Sequence, residues 1–414
     1  MNNKSIYMRA TQVTVAFTFF TLFVSKAGMN IAFALILLTA LAGVMTKQTV
    51  LSNQPFHRNI TIACISLYVL GLVVTFIEPL GTQDLSWFAR KGAFLLLLPF
   101  FIPMVQKHHR TALNALLLGV IVALAYCVYV YVMPSSLPQD RLRLHSFWDV
   151  GRWSEILAYF IALCIGLTYY RGVVAQKRRV LLMTLASLCF VALLASGSRG
   201  PLLFVAMTVF MFLALENKKL FLLSLLALGA LLFLSRESST FSGIYDNVAS
   251  IFANNNDSNN ARFLMWNNGI GFTLDNIENH LSVFLFGTGD HQIETLYSQY
   301  LQSIGSIEEM QQRVNNQMSL NDFHNQYIDN LVRMGIIYTL CYLGFLVTLL
   351  IGFTKQLRTG SKVAWAGILL ILTYAGIGLV YSNNLEFQTA IFFFMLTLIL
   401  AWPQKPQMPG SNHS

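Results

Sequence analysis

Twelve apolar runs dominate this sequence, at 7–25, 27–46, 59–78, 92–106, 111–132, 153–170, 180–197, 201–215, 219–235, 328–353, 363–381 and 388–402. A helix needs about 20 mostly apolar residues to cross the hydrocarbon of a bilayer; the run at 92–106 is short for that. Of the 414 residues 55% are hydrophobic and only 11% charged, whereas a soluble domain carries about 25% charge. So little charge cannot cover a water-facing surface of this size, which excludes secreted disulfide scaffolds, disordered chains and ordinary cytosolic enzymes. The fold class expected is all-α: a polytopic integral membrane protein of about twelve transmembrane helices. The first run has no small-residue cleavage site before Lys26, so it is not read as a cleaved signal peptide. Cys64, Cys127, Cys164, Cys189 and Cys341 lie singly in apolar runs without metal-ligand spacing, and read as small buried hydrophobes.

The net charge of +9 matters less than its placement. With both termini cytoplasmic, 16 of the 27 basic residues fall in inner segments, among them KHHR at 107–110 and QKRR at 176–179. Of the acidic residues only Glu216 joins them, so the frame obeys the positive-inside rule. Residues 236–327 then form an outer loop of roughly ninety residues, too long to be structureless. Helical spacing at 261–274 and 291–304 predicts a small helical periplasmic domain, with NNNDSNN at 254–260 as a turn-prone stretch. The division is 1–235 (nine transmembrane helices), 236–327 (periplasmic loop domain), 328–402 (three transmembrane helices) and 403–414 (cytoplasmic tail).

Ionisable groups near hydrocarbon are expensive and are candidates for function; the alternative is a side chain that merely snorkels to the headgroups. Snorkelling suits Lys26 and Arg313. Arg199 sits in SGSRGP, where Gly197 and Gly200 allow close backbone approach, and a helix start with Pro201 in its first turn offers donors to an anion. Arg262 and Trp266 lie four apart on one helical face, a spacing also common in plain amphipathic helices. GTGDH at 287–291 lacks the lysine ending of a phosphate loop and reads as a glycine turn.

RLRLHSFWDVGRWSE at 141–155 puts Arg141, Arg143 and Arg152 on the outer face, against the positive-inside rule. An aromatic belt accounts for its tryptophans, but the arginines favour anion binding through their planar forks. Arg90 and Lys91 add to that patch. In FHNQYIDNLVRMG, His324 precedes a membrane helix. Alone it reads as a structural donor; beside Arg199 and Arg262 it reads as a general base or proton carrier. Asp329 and Arg333, four apart, are expected to pair. His280, His291 and His324 show no metal-ligand pattern, and no metal is expected.

These residues outline an outer cavity lined with arginine, roofed by the loop domain and supplied with one histidine. No nucleotide motif is present, so a substrate there must carry its own activation, as a polyprenyl diphosphate-linked sugar does. Arginines would stabilise the departing diphosphate, and a histidine would take the acceptor's proton.

On these residues the sequence resembles the O-antigen ligases, within the larger group of O-antigen ligase and polymerase membrane glycosyltransferases. The resemblance covers nearly the whole chain. The ligase motif is His, then Asn, Ser or Gln, nine residues and G-x-x-G-T. It matches His324-Asn325 and Gly335 to Thr339, with Tyr338 in place of the second glycine. S-x-S-R-G matches Ser196 to Gly200, R-x-x-x-W matches Arg262 and Trp266, and Arg143 carries over on a looser motif.

The resemblance implies metal-independent, inverting transfer of an O-antigen glycan from undecaprenyl diphosphate to a sugar hydroxyl of the lipid A–core. That places the chain in lipopolysaccharide biosynthesis at the bacterial inner membrane, with the active site on the periplasmic face. It implies no cofactor and no nucleic-acid partner. His324, Arg262 and Arg199 would be catalytic, with Arg143, Arg90, Lys91, Trp266 and Asn325 binding substrate.

An O-antigen polymerase shares donor and topology. Its R-x10-G motifs are not met, since Ser154, Phe210 and Thr273 stand where Arg143, Arg199 and Arg262 would require glycine. A lipid or solute transporter fits the hydropathy equally, but the sequence shows neither matched repeats nor charged midplane residues.

Overall fold

The computed structural model describes residues 3–48, 50–77, 81–133, 143–237, 257–382 and 385–403. They form an all-helical, multi-pass membrane protein, with no strand among the described residues. In chain order the helices are α1 (Asn3–Val24), α2 (Lys26–Met45), α3 (Pro55–Phe76), α4 (Gly81–Lys91), α5 (Ala93–Lys107), α6 (His109–Val132), α7 (Val150–Thr168), α8 (Gln176–Ala195), α9 (Arg199–Glu216) and α10 (Lys218–Glu237). Then come α11 (Asp257–Asn279), α12 (Leu281–Phe286), α13 (Ile293–Ile304), α14 (Ile307–Arg313), α15 (Gln326–Arg358), α16 (Ala364–Ile377) and α17 (Phe387–Leu400). Among the described residues eight helical segments are long and apolar enough to span a membrane, α4 and α5 together making one; α16 and α17 are shorter apolar helices.

An all-round apolar helix must be buried. Accordingly α5, α7, α16 and α17 form the middle, and α7 packs on α8, α9, α16 and α17. Around them α2, α3, α6, α8 and α10 leave side chains such as Leu38, Ile62, Val128, Val191 and Leu226 exposed, the lipid-facing surface of such a bundle. Four of the cysteines are buried as expected; Cys341 is exposed.

α4 is amphipathic rather than apolar. Its Asp84 is fully buried and accepts from the backbone nitrogens of Asp290 (2.7 Å) and His291 (3.1 Å) and from His291 Nδ1 (3.0 Å). It thereby ties the bundle to the connection between α10 and α15. That connection has its own apolar cluster. Ala261, Met265 and Phe272 recur on one face of α11 and meet Ile293, Tyr297 and Leu301 of α13, with Phe323, Ile328 and Val332 closing it. The turn-prone residues 257–260 belong to the first turn of α11, while 254–256 lie outside the described residues.

α15 is broken at Gly335 (φ 75°, ψ 174°). A Cβ there would sit 2.3 Å from Leu285 O, and one on Gly287 (φ 88°) 2.3 Å from Arg333 O, so two glycines let two backbones touch. GTGDH is thus a docking turn: Thr288 N and Gly289 N donate to Val332 O and Arg333 O at 2.8 and 3.0 Å. Arg333 pairs with Asp329 at 3.7 Å, as their spacing predicted, and also with Asp290.

Candidate functional site

His324 sits in a loop locked to the end of α16. Asn325 caps α15, its Oδ1 accepting from Tyr327 N (3.0 Å) and Ile328 N (3.2 Å). Its Nδ2 donates to Leu379 O at 3.0 Å, and Gln326 N to Gly378 O at 2.8 Å. Asn325 is therefore occupied in holding the loop. Its neighbour His324 adopts φ 48°, a left-handed conformation that short polar and histidine side chains tolerate best. The turn brings both His324 N (2.7 Å) and His324 Nδ1 (3.0 Å) onto Asp322 Oδ1. With Nδ1 held by a carboxylate, the tautomer that satisfies the bond leaves the Nε2 lone pair outward.

Asp322 is also bonded by Ser382 Oγ at 2.5 Å. Burial alone would raise its carboxyl, but the hydrogen bond and charge of His324 and the Ser382 hydroxyl outweigh it and hold the group at about 2. Behind the loop, Trp266 Nε1 donates to Phe323 O at 3.0 Å, and Phe323 packs edge-on to Tyr297 at 5.0 Å. Trp266 thus supports the residue before His324.

The three arginines come from three stretches of chain. Leu144 N donates to Ala195 O at 3.3 Å, which lays residue 143 beside the turn 196–198. The charges of Arg143 and Arg262 both bear on Arg199. Among the described residues no carboxylate forms an ion pair with any of them. Arg262 Nε is buried without a hydrogen-bond partner, and its guanidinium lies 5.9 Å from the ring centroid of Tyr381. The Tyr381 ring also lies against the SGSRG turn at Gly200. α9 begins at Arg199, two residues before Pro201, and its cap position Ser198 makes no capping bond, so the leading N–H groups stay open. Gly200 serves the protein rather than a ligand: a Cβ there would meet Tyr381 at 2.7 Å.

Tyr381 and Ser382 thus join two halves. One contacts Arg262 and the SGSRG turn, the next holds the carboxylate that orients His324. Asp322, Tyr381 and Ser382 escape sequence reading, because a lone aspartate and a Tyr-Ser pair between two apolar runs carry no pattern. An aspartate two residues before a histidine is the one available signal.

The remaining candidates are scaffold or stand apart. Trp148 and Trp153 are buried. Arg152 pairs with Asp149 (2.7 Å) and Glu386 (3.2 Å), Lys91 with Glu386 (2.6 Å) and Lys26 with Asp149 (3.6 Å). Lys91 is therefore neutralised in a network, while exposed Arg90 lines a cavity of about 210 Å³ beside it with Asn30 and Phe33. Arg141 and the side chain of Arg236 lie outside the described residues. Arg313 is an exposed partner of Glu309 at 4.0 Å, in keeping with a surface role.

Among known proteins, residues 184–343 match the family model described as O-Antigen ligase. The match takes in Arg199, Arg262, Trp266, His324 and Asn325, whereas Arg143, Arg90 and Lys91 precede it and Tyr381 and Ser382 follow it. The curated proteins contain no match to the chain. Families of this kind act on lipid-linked polysaccharides, and this one takes in both ligases and related polymerases. Over residues 184–343, the chain is similar to the O-antigen ligase family.

Proposed function

We propose that the protein is an O-antigen ligase. It transfers O-antigen polysaccharide from undecaprenyl diphosphate to a sugar hydroxyl of the lipid A–core, at the periplasmic face of the bacterial inner membrane. The observation that carries this reading is the His324–Asp322 pair joined through Ser382 and Tyr381 to the cluster of Arg143, Arg199 and Arg262.

In this reaction the acceptor hydroxyl oxygen attacks C1 of the donor's first sugar from the face opposite the diphosphate, and C1 inverts. The C1–O bond breaks and its electron pair leaves with undecaprenyl diphosphate. The hydroxyl proton passes to His324 Nε2, and Asp322 stabilises the imidazolium so formed. Unpaired guanidinium forks and the open start of α9 meet the negative charge that grows on the leaving group. The lipid tail of the donor stays in the bilayer beside the bundle. Trp266, Asn325 and the Lys91 network act by holding the frame.

The test is lipopolysaccharide banding from a deletion strain complemented with wild type or His324→Ala, beside the length of the lipid-linked glycan. Loss of the whole ladder, with long glycan accumulating on undecaprenyl diphosphate, is the expected result. A core carrying a single repeat, with no long lipid-linked glycan, identifies a polymerase. An unchanged ladder in the deletion strain removes both readings.

A further inference from the structure

A second cationic cavity, of about 580 Å³, lies at the end of the bundle opposite His324, between the end of α5, the starts of α6 and α8 and the residues after α17. Lys107, Arg110 and Arg178 line it with His108 and His109, and among the described residues no carboxylate does. Both α6, from His109, and α8, from Gln176, begin there without a side-chain cap. Their leading N–H groups point a positive field at the same space.

His109 is 9% exposed, its ring edge-on to Trp402 at 4.4 Å, and its Nε2 has no hydrogen-bond partner. His108 is otherwise engaged, its Nε2 lying 2.8 Å from Thr11 Oγ1. Leu113, Val173 and Val174 make one wall apolar.

The positive-inside rule accounts for cations at this end, but not for a cavity that gathers three of them beside two open helix starts with, among the described residues, no carboxylate in its lining. Lys218 and Lys219, exposed at the start of α10, do not line it.

We propose that this cavity binds a phosphate-bearing anion, with Arg110 and Arg178 as forked donors and the open starts of α6 and α8 beside them. The phosphate comes from the headgroup of an anionic phospholipid or from a soluble phosphate. Basic pockets between membrane helices suit the former, and the apolar wall adds room for a glycerol backbone. The inference is independent of the reaction proposed above.

The test uses the purified full chain in detergent, with phosphatidylglycerol or phosphatidylethanolamine added and bound lipid counted by native mass spectrometry. Inorganic phosphate is added separately and thermal unfolding followed. The expected result is retention of phosphatidylglycerol, reduced about tenfold in the double variant Arg110→Gln/Arg178→Gln. The double variant Lys218→Gln/Lys219→Gln, which removes the same charge at the same end, keeps it. Stabilisation by inorganic phosphate that disappears in the arginine variant, without selective lipid retention, assigns the site to a soluble phosphate. Phosphatidylglycerol retention and phosphate stabilisation both unchanged in the arginine variant, or lost equally in the lysine variant, overturn the proposal. If the double arginine variant does not accumulate, the single variants Arg110→Gln and Arg178→Gln carry the same reading.

Discussion

At the scale of single residues, His324 and Asp322 form a hydrogen-bonded pair. A positioned base contributes about 10²–10⁴-fold to a transfer, so His324→Ala is expected to lower ligation at least about a hundredfold while membrane-inserted protein persists; wild-type ladders in that variant would end the base assignment. Asp322→Asn keeps the size of the side chain but not the charge that holds Nδ1. Its depressed carboxyl sets the sign of the pH effect. The stabilisation from ionised Asp322 is complete above the ordinary carboxylate value and fades as pH falls through about 2. Between pH 5 and 8 the group stays ionised, so any acid limb of wild-type ligation there belongs to another group. Asp322→Asn is expected to cut the rate about tenfold or more and to move that limb; an unaltered rate and profile would remove its orienting role. The histidine and arginines stood out in the sequence because ionisable groups beside apolar runs are costly, and the structure brings Arg143, Arg199 and Arg262 together. Asp322, Tyr381 and Ser382 were not, because the docking of the loop before α15 onto the end of α16 brings together residues some sixty positions apart.

At the scale of elements, apolar length made the helices readable, and each of the twelve runs falls on a helix. α4 was missed because its burial rests on Trp87, Phe88 and one carboxylate, Asp84, too short a set to read as an apolar run. The break in α15 was missed because nothing in a single sequence tells a glycine within a helix from one with φ 75°. That glycine supplies a sharp test. Gly335→Ala combines a left-handed backbone with a Cβ 2.3 Å from Leu285 O, and is expected to destabilise the protein by about 2 kcal/mol or more, read as a lower thermal midpoint in detergent. Trp266→Phe keeps an aromatic ring but removes the bond to Phe323 O and part of the ring surface that packs beside Phe263. It is expected to cost about 1 kcal/mol of stability and a larger share of activity, since the carbonyl it holds adjoins His324. A ligation rate equal to wild type would show that the loop holds its shape without that bond.

At the scale of the whole molecule, the two ends of the bundle differ in kind. One gathers three arginines without carboxylate partners beside the His324 loop, under the cluster built from α11 and α13. The other gathers KHHR and QKRR around the second cavity. The charge distribution read from the sequence assigns the first end to the periplasm and the second to the cytoplasm, and the proposed reaction requires that orientation because its donor and acceptor meet outside. Thiol labelling tests it directly. In a background with the five native cysteines replaced by alanine, Gln317→Cys on the α14–α15 connection and Lys177→Cys at the start of α8 put one exposed thiol at each end. A membrane-impermeant maleimide applied to cells with a permeabilised outer membrane is expected to label the first and spare the second until the inner membrane is broken. The reverse pattern would place the arginine cluster and His324 in the cytoplasm, where a periplasmic ligation could not use them. It would leave the helical fold intact while removing the proposed function.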